Sequence, residues 1–297
     1  MKDAILFPCD FFSIHQVDEC YQKEYEAALA VNGFEIFFYN YDTFVSEGSL
    51  ILDHGTSEPF NVVYRGWMLK PEQYNVFYKK LKEKNLNLIT TPRNYSYYHD
   101  FSNSYKDIKK TPKALFFPEG EKVNLAKIKK YMSRFMIKDY VKSVKETDFP
   151  KFFYANELTQ EELDSWILKF KNHRGKLYTG GICVKEYVDL KKYDGRTNEW
   201  RVFYINGLPI ICANSGQSLI AQQVPLELVE KYSNTCGSFC TIDYAELADG
   251  TWKVLETGDG QVSGLCDNQD PVAFYRAIKN GLGDYEYKDE YLKKKIN

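Results

Sequence analysis

The chain has 297 residues, 44% of them hydrophobic and 16% aromatic, enough to fill one large core or two modest ones. Its 39 Lys+Arg stand against 41 Asp+Glu, a net charge of −2, which argues against a chain-wide role on nucleic acid or an anionic membrane. No run approaches the roughly 18 apolar residues of a membrane span, and the start MKDAILFPCDFF lacks signal-peptide architecture, so a cytoplasmic protein is expected.

Ala4 to Pro8 reads as a strand, Val17 to Val31 as a helix ending at Asn32-Gly33, and Phe34 to Tyr39 as a second strand. Val62 to Tyr64, a helix from Pro71 to Lys84 and a strand from Leu86 to Thr90 continue the alternation, which predicts a parallel sheet covered on both faces. Asp10, Arg65 and Arg93 each follow a strand, where open parallel sheets present ligand contacts; ordinary loop residues are the plainer reading of any one of them. Tyr95 to Pro118 has no clean period, and a domain boundary is expected near 110. Lysine clusters such as Lys79 to Lys84 and Lys293 to Lys295 read as solvated helix faces.

Arg134 to Tyr140 predicts a strand ending in Lys138, Lys142 and Lys145 around Ser143, a setting that suits a phosphate chain or, equally, a solvated basic loop. Leu158 to Glu162 resembles a capping box before a helix that buries Leu163, Trp166, Ile167 and Phe170. Leu177 to Leu190 passes through Gly180-Gly181 into an apolar strand carrying Lys185 and Glu186, as a chain crossing between two lobes would. In Glu199 to Gly207 the alternation sets Glu199, Arg201 and Phe203 on one face, and Asn206-Gly207 turns the chain into Pro209 to Ala213. A helix over Val224 to Tyr232 follows, and Pro271 to Asn280 forms another, stopped at Gly281, before a charged tail expected to fray from Asp284.

Between those helices, Phe239 to Leu247 and Thr251 to Thr257 flank Ala248-Asp249-Gly250 as a hairpin. A two-residue turn at Asp249-Gly250 sets Glu246 against Lys253, Ala245 against Val254, and Asp243 against Glu256. Two opposed carboxylates require a cation or water, so the pair reads as a solvated hairpin face or as a Mg²⁺ site. Seven cysteines without a CxxC pair and four scattered histidines argue against a disulfide framework or a zinc site.

Taken in order, Lys138, Lys185-Glu186-Tyr187-Val188, Glu199-x-Arg201, Asp243 and Glu256 resemble the ATP-grasp superfamily. The wording VVYRGWMLKPEQY, MIKDYVKS, CVKEYVD, NEWRVFYING and VLETGDGQVSGL resembles its bacterial and phage clade named for two arginines and a lysine. The resemblance implies an α/β chain with α+β lobes: a pre-ATP-grasp β-α-β domain over 1–110 and an ATP-grasp domain over 111–297, divided into a small lobe (111–184) and a C-terminal lobe (185–297). It implies Lys138 on the nucleotide phosphates with Lys142 assisting, and Lys185, Glu186, Tyr187 and Val188 as the linker reading adenine. Glu199 would sit near the ribose, Arg201 on the γ-phosphate or acyl-phosphate, and Asp243 and Glu256 on Mg²⁺. Arg65 would meet a substrate carboxylate between the two domains. Many relatives place Asn two residues after the last metal glutamate; here that position is Gly258, with Asp259 or Gln261 as substitutes.

The implied activity is an ATP- and Mg²⁺-dependent carboxylate-amine ligase, releasing ADP, whose substrate is a small molecule, a peptide or a protein terminus. This agrees with the lack of a Ser-His-Asp set or a nucleophilic cysteine signature. A second reading is an ATP-binding assembly or chaperone factor, since relatives of the clade include a eukaryotic factor that helps assemble a translation initiation complex. A weaker third, RNA ligation or modification, rests on 24 Tyr and 20 Phe without a basic stripe, so nucleic acid is not the expected partner.

Overall fold

The structure is a computed structural model that describes residues 1–283 apart from 145–146, 217, 219 and 234–235. The expected basic residue Lys145 and the tail from Asp284 lie outside the described residues. β1 (Lys2–Pro8), α1 (Gln22–Ala30), β2 (Phe34–Tyr39), α2 (Tyr41–Glu47), β3 (Phe60–Tyr64), α3 (Pro71–Lys82) and β4 (Leu86–Leu88) form the first unit. Its four strands are parallel in the order β2-β1-β3-β4. β1 is apolar on both faces because both are covered. Ala4 and Leu6 pack with Tyr74, Phe77 and Leu81 of α3, whereas Ile5 and Phe7 pack with Ala27 and Ala28 of α1.

The segment without a clean period begins inside α4 (Pro92–His99) and contains α5 (Phe101–Ser104). α4 has the signals of a helix start, Thr91 as N-cap accepting from the Asn94 amide and Pro92 in the first turn. With only eight residues, and with Tyr95, Tyr98 and His99 as its buried side chains, it is too short to establish a period.

β5 (Ala114–Pro118), α6 (Leu125–Tyr131), β6 (Arg134–Asp139), β7 (Phe153–Tyr154), α7 (Gln160–Arg174) and β8 (Gly181–Glu186) follow. The strands make an antiparallel sheet in the order β5-β8-β6-β7. The chain passes from the parallel to the antiparallel sheet between Leu88 and Ala114. Because β8 lies wholly within this second sheet, the expected division at 184/185 cuts through a strand. α7 carries the capping box, Thr159 with Glu162, and covers one sheet face through Leu163 and Phe170, with Trp166 and Ile167 half-buried beside them. Leu115, Phe117, Phe135, Ile137, Ile182 and Val184 occupy that face.

After the short hairpin β9 (Lys192–Tyr193) and β10 (Arg196–Thr197), the last sheet is built from β11 (Glu199–Ile205), β12 (Leu208–Asn214), β13 (Phe239–Glu246) and β14 (Trp252–Asp259) in the order β12-β11-β13-β14. Asn206 and Gly207, at φ 49° and 78°, form the two-residue turn between β11 and β12, both residues adopting the positive φ that a type I′ turn needs. α8 (Leu226–Lys231) covers one face, with Val202, Tyr204, Ile242 and Tyr244 in that core. α9 (Pro271–Leu282) runs through Gly281, one residue past the expected stop, and packs Phe274, Tyr275 and Ile278 between Phe203 and Phe239 of this sheet and Ile5 and Phe7 of the first.

The β13–β14 register differs from the expected one. Tyr244 pairs with Val254, Ala245 with Lys253 and Glu246 with Trp252, one residue off from a two-residue turn. The loop is Ala248-Asp249-Gly250 with Gly250 at φ 83°, a three-residue turn closed by the Leu247 amide on the Thr251 carbonyl. An irregularity at Leu255 then shifts the ladder back, and Asp243 does oppose Glu256.

Candidate functional site

Lys138 on β6 pairs with Cys183 on β8, and Met136 with Lys185, so both lysines project from one face of the second sheet, opposite the face that packs on α6 and α7. They are 2% and 5% exposed, rare for lysine without a partner. Lys138 Nζ donates to Glu256 Oε2 at 2.7 Å, and Lys185 Nζ donates to the carbonyl of Leu255. The bulge at Leu255 thus coincides with a carbonyl turned to a side-chain donor. Phe101 of α5 lies beneath both ammonium groups, 5.4 Å from Lys138 and 4.8 Å from Lys185.

Across the last sheet Arg201, Asp243 and Glu256 stand opposite one another on β11, β13 and β14. Arg201 grips Asp243 with two parallel bonds, Nε to Oδ1 at 2.8 Å and Nη2 to Oδ2 at 2.7 Å, and reaches the Gly264 carbonyl at 3.0 Å. Two neighbouring carboxylates, Asp243 and Glu256, are therefore flanked by Arg201 on one side and Lys138 on the other. Burial pushes the Glu256 carboxyl up, but Lys138 beside it, with Lys185 and Lys142, holds it well below the usual carboxylate range. Burial and the neighbouring Lys138 bring Lys185 down to about 8, while Lys138 is raised by Glu256 against the opposing effect of its own burial. Lys142 is lowered by burial, with Arg201 and Lys138 adding to that and Glu256 opposing it.

Lys142, Arg201, Asp243 and Glu256 line one cavity of about 30 Å³ with His99, Thr241, Gly258, Asp259 and Ser263. Its oxygen donors suit a hard divalent ion, and two carboxylates are the number Mg²⁺ takes when phosphates and water fill its other positions. Among the described residues no third His, Cys, Asp or Glu converges with them to form a metal-holding group. A Cβ at Gly258 would lie 2.6 Å from Thr241 Oγ1 and 2.8 Å from Ser263 Oγ, two hydroxyls bonded to each other at 2.9 Å. The space that an asparagine side chain would need is filled. Gln261 does not substitute for it, since its amide is buried against Tyr74 and Asp259.

In the linker, the Glu186 amide donates to the Lys113 carbonyl and the Tyr187 amide to that of Arg134, while the Tyr187 ring stacks on Phe152 at 4.4 Å. Val188 and these residues border a cleft of about 290 Å³ with Arg134, Asp189 and Leu247. Glu199 shares the Arg201 face and accepts from Thr197 Oγ1 at 2.6 Å.

Arg65 is not brought to the cavity. It is 1% exposed and holds Glu24 through Nε and Nη2, each at 2.9 Å, and the carbonyls of Gly260 and Ser263 through Nη1. The expectation that it meets a substrate carboxylate is corrected: its carboxylate is Glu24, on the helix between β1 and β2, and its role is to tie the loop after β14 to the first sheet. Asp10 accepts from the Phe12 amide of its own loop, and Arg93 is exposed. No disulfide links the seven cysteines, and no described helix is long and apolar enough to cross a membrane.

Among the cavity residues that sequence reasoning passed over are His99 and Thr241. His99, stacked on Tyr95 at 4.8 Å, is lowered to about 4 by burial and Lys142, so it is neutral at physiological pH; its i, i+4 spacing from Tyr95 behind the Thr91-Pro92 helix start was the available signal. Thr241 lies two residues before Asp243 on the same face, a position the strand alternation contained.

An ATP-grasp domain model, R2K clade family 3, matches residues 124–278, a little over half of the chain. No curated protein matches the sequence. Among solved structures, D-cycloserine synthetase DcsG is similar at 13% identity and a TM-score of 0.60, over 94% of this chain and 100% of that one. ATP-grasp ligase PsnB, complexed with a minimal precursor, is similar at 11% identity and 0.58, over 95% and 100%. D-alanine–D-alanine ligase from Bacillus anthracis, complexed with ATP, is similar at 12% identity and 0.56, over the full length of both chains. The chain has the ATP-grasp fold and belongs to the R2K clade of the ATP-grasp superfamily.

Proposed function

We propose that the protein is an ATP- and Mg²⁺-dependent ligase that joins a carboxylate to an amine through an acyl-phosphate, releasing ADP. The observation that carries this reading is the gathering of Lys138, Lys142, Lys185 and Arg201 around Asp243 and Glu256, with Asp259, raised by burial to about 7, as the third carboxyl of the cavity. Four cations against these acids leave the site net positive, and at a partly exposed mouth such a site attracts an anion. A polyphosphate is the ligand of matching charge.

In this reading Lys138 and Lys142 hold the phosphates, Lys185 and the main chain of Glu186, Tyr187 and Val188 border the adenine, and Glu199 lies toward the ribose. Asp243 and Glu256 would hold Mg²⁺, which when bound neutralises phosphate charge. Arg201, anchored by Asp243, keeps a planar cationic fork beside the transferring phosphoryl group and the acyl-phosphate made from it. The lobe boundary falls after Glu186, at the end of β8, and the first domain ends near 110. Amino acids or peptides are the substrate class that fits, since the solved neighbours include D-alanine–D-alanine ligases and a ligase complexed with a precursor peptide.

The test has two parts. Asp243→Asn with Glu256→Gln is expected to abolish Mg-ATP binding by calorimetry while circular dichroism stays unchanged; unaltered affinity would remove the metal assignment. Incubation with ATP and pools of amino acids and peptides is expected to yield ADP and a product lighter by one water than its reactants. Binding of ATP without any such product would favour the assembly-factor reading, and AMP with pyrophosphate would indicate adenylation.

A further inference from the structure

The cavity has two chemically unlike ends. Arg201, Asp243 and Glu256 are partly exposed, whereas Thr241, Asp259 and Ser263 are 2%, 0% and 8% exposed and form the buried end, with Met68 and Val262 in the wall. The volume of about 30 Å³ admits a water or a single amine head, not a whole amino acid. At the buried end Asp259 Oδ1 accepts from the Gln261 amide and from Gln261 Nε2, both at 3.0 Å. Oδ2 has no hydrogen-bond partner among the described residues. A buried carboxylate oxygen without a donor is costly, and in a cavity lined by charged groups a catalytic role is one explanation for keeping it.

The surroundings explain why no internal cation serves it. Arg65, the cation nearest in charge effect, spends its donors on Glu24, Gly260 and Ser263. Tyr74 from α3, Tyr95 and His99 from α4, Cys240 from β13 and Gln261 are the other titratable or polar groups about Asp259. The two tyrosines and the cysteine are raised and His99 is lowered, chiefly by burial, so all four are neutral at physiological pH.

We propose that Asp259 binds the ammonium of the amine co-substrate through Oδ2 and takes its proton, making it the general base of ligation. The inference rests on the ligase reading above. The acyl-phosphate lies at the partly exposed mouth beside Arg201, and only the amine head enters the cavity, its nitrogen facing the acyl carbon. The ammonium gives one proton to the Asp259 carboxylate; its nitrogen lone pair forms the C–N bond as the acyl C–O bond to phosphate breaks. The second proton passes from nitrogen to the departing phosphate, and Asp259 returns its proton to solvent. Burial raises the carboxyl from 3.8 to about 7, so the carboxylate form needed to accept a proton fills as pH rises through neutrality.

Hydroxylamine separates the two half-reactions, because it is an unprotonated nucleophile at neutral pH and needs no base to attack an acyl-phosphate. Wild-type protein, ATP, Mg²⁺ and pools of amino acids and peptides are expected to give amide products and, with hydroxylamine, hydroxamates. Asp259→Asn is expected to lose amide formation by about 100-fold or more while hydroxamate formation stays within about threefold, and the rise of amide formation through pH 7 should vanish. Equal loss of both products, or retention of both, overturns the assignment of Asp259 and leaves the ligase reading standing. Absence of hydroxamate from the wild type overturns the ligase reading and the proposal with it.

Discussion

Replacing Asp259 by asparagine should stabilise the protein at alkaline pH relative to the wild type. The carboxyl is raised from 3.8 to about 7 by burial, so the fold favours its neutral form. Stability from such a group is fully present below the unfolded pKa and is lost as pH climbs through the folded one. The whole span corresponds to about 4 kcal/mol, and the part between pH 5 and pH 8 to about 2–3 kcal/mol. Asparagine keeps the shape and an acceptor for the two Gln261 bonds, and it never ionises. Urea unfolding of both proteins at pH 5 and pH 8 is the assay. The stability difference in favour of Asp259→Asn should widen by about 2–3 kcal/mol from the lower to the higher pH. A difference that stays constant across the range would refute the reasoning, since the carboxyl would then carry no burial penalty and would not be poised near neutrality.

Two further outcomes follow from the packing. Arg65→Met should cost about 3 kcal/mol in chemical unfolding by removing the counter-charge of the largely buried Glu24, to which the Tyr275 hydroxyl still donates, and the double change with Glu24→Gln should cost less than the single one. Gly258→Ala should destabilise by about 1–3 kcal/mol, because its Cβ would press on Thr241 Oγ1 and Ser263 Oγ; adding Thr241→Ala and Ser263→Ala should recover part of the loss, measured as a rise in Tm.

The parallel character of the first sheet was legible, though not its strand order, because its strands alternate with helices whose starts are marked by residues such as Pro71, and a parallel sheet covered on both faces is the simplest way to bury such a pattern. The opposition of Asp243 and Glu256 was also read correctly, but through two offsets that cancel. The loop at Gly250 is one residue longer than the two-residue turn assumed, and the irregularity at Leu255 removes the shift. Turn length is a local choice among several that Asp-Gly permits, whereas the bulge depends on the structure around Leu255, whose carbonyl receives Lys185 from another sheet.

Residue types and their spacing by themselves determined the longer periodic strands and helices, which family the chain resembles, and that Lys138, Lys185, Arg201, Asp243 and Glu256 lie on strands. Tertiary structure alone decided what each charge does. Arg201 lies in a strand and Arg65 directly after one, yet Glu24, 41 positions away, and the loop around Gly260, 195 positions away, bury Arg65 as a tether. Asp243, 42 positions away, holds Arg201 at the edge of a cavity. The physical reason is that a charge's energy depends on burial and on partners within a few ångströms, and both are set by contacts far apart in the chain.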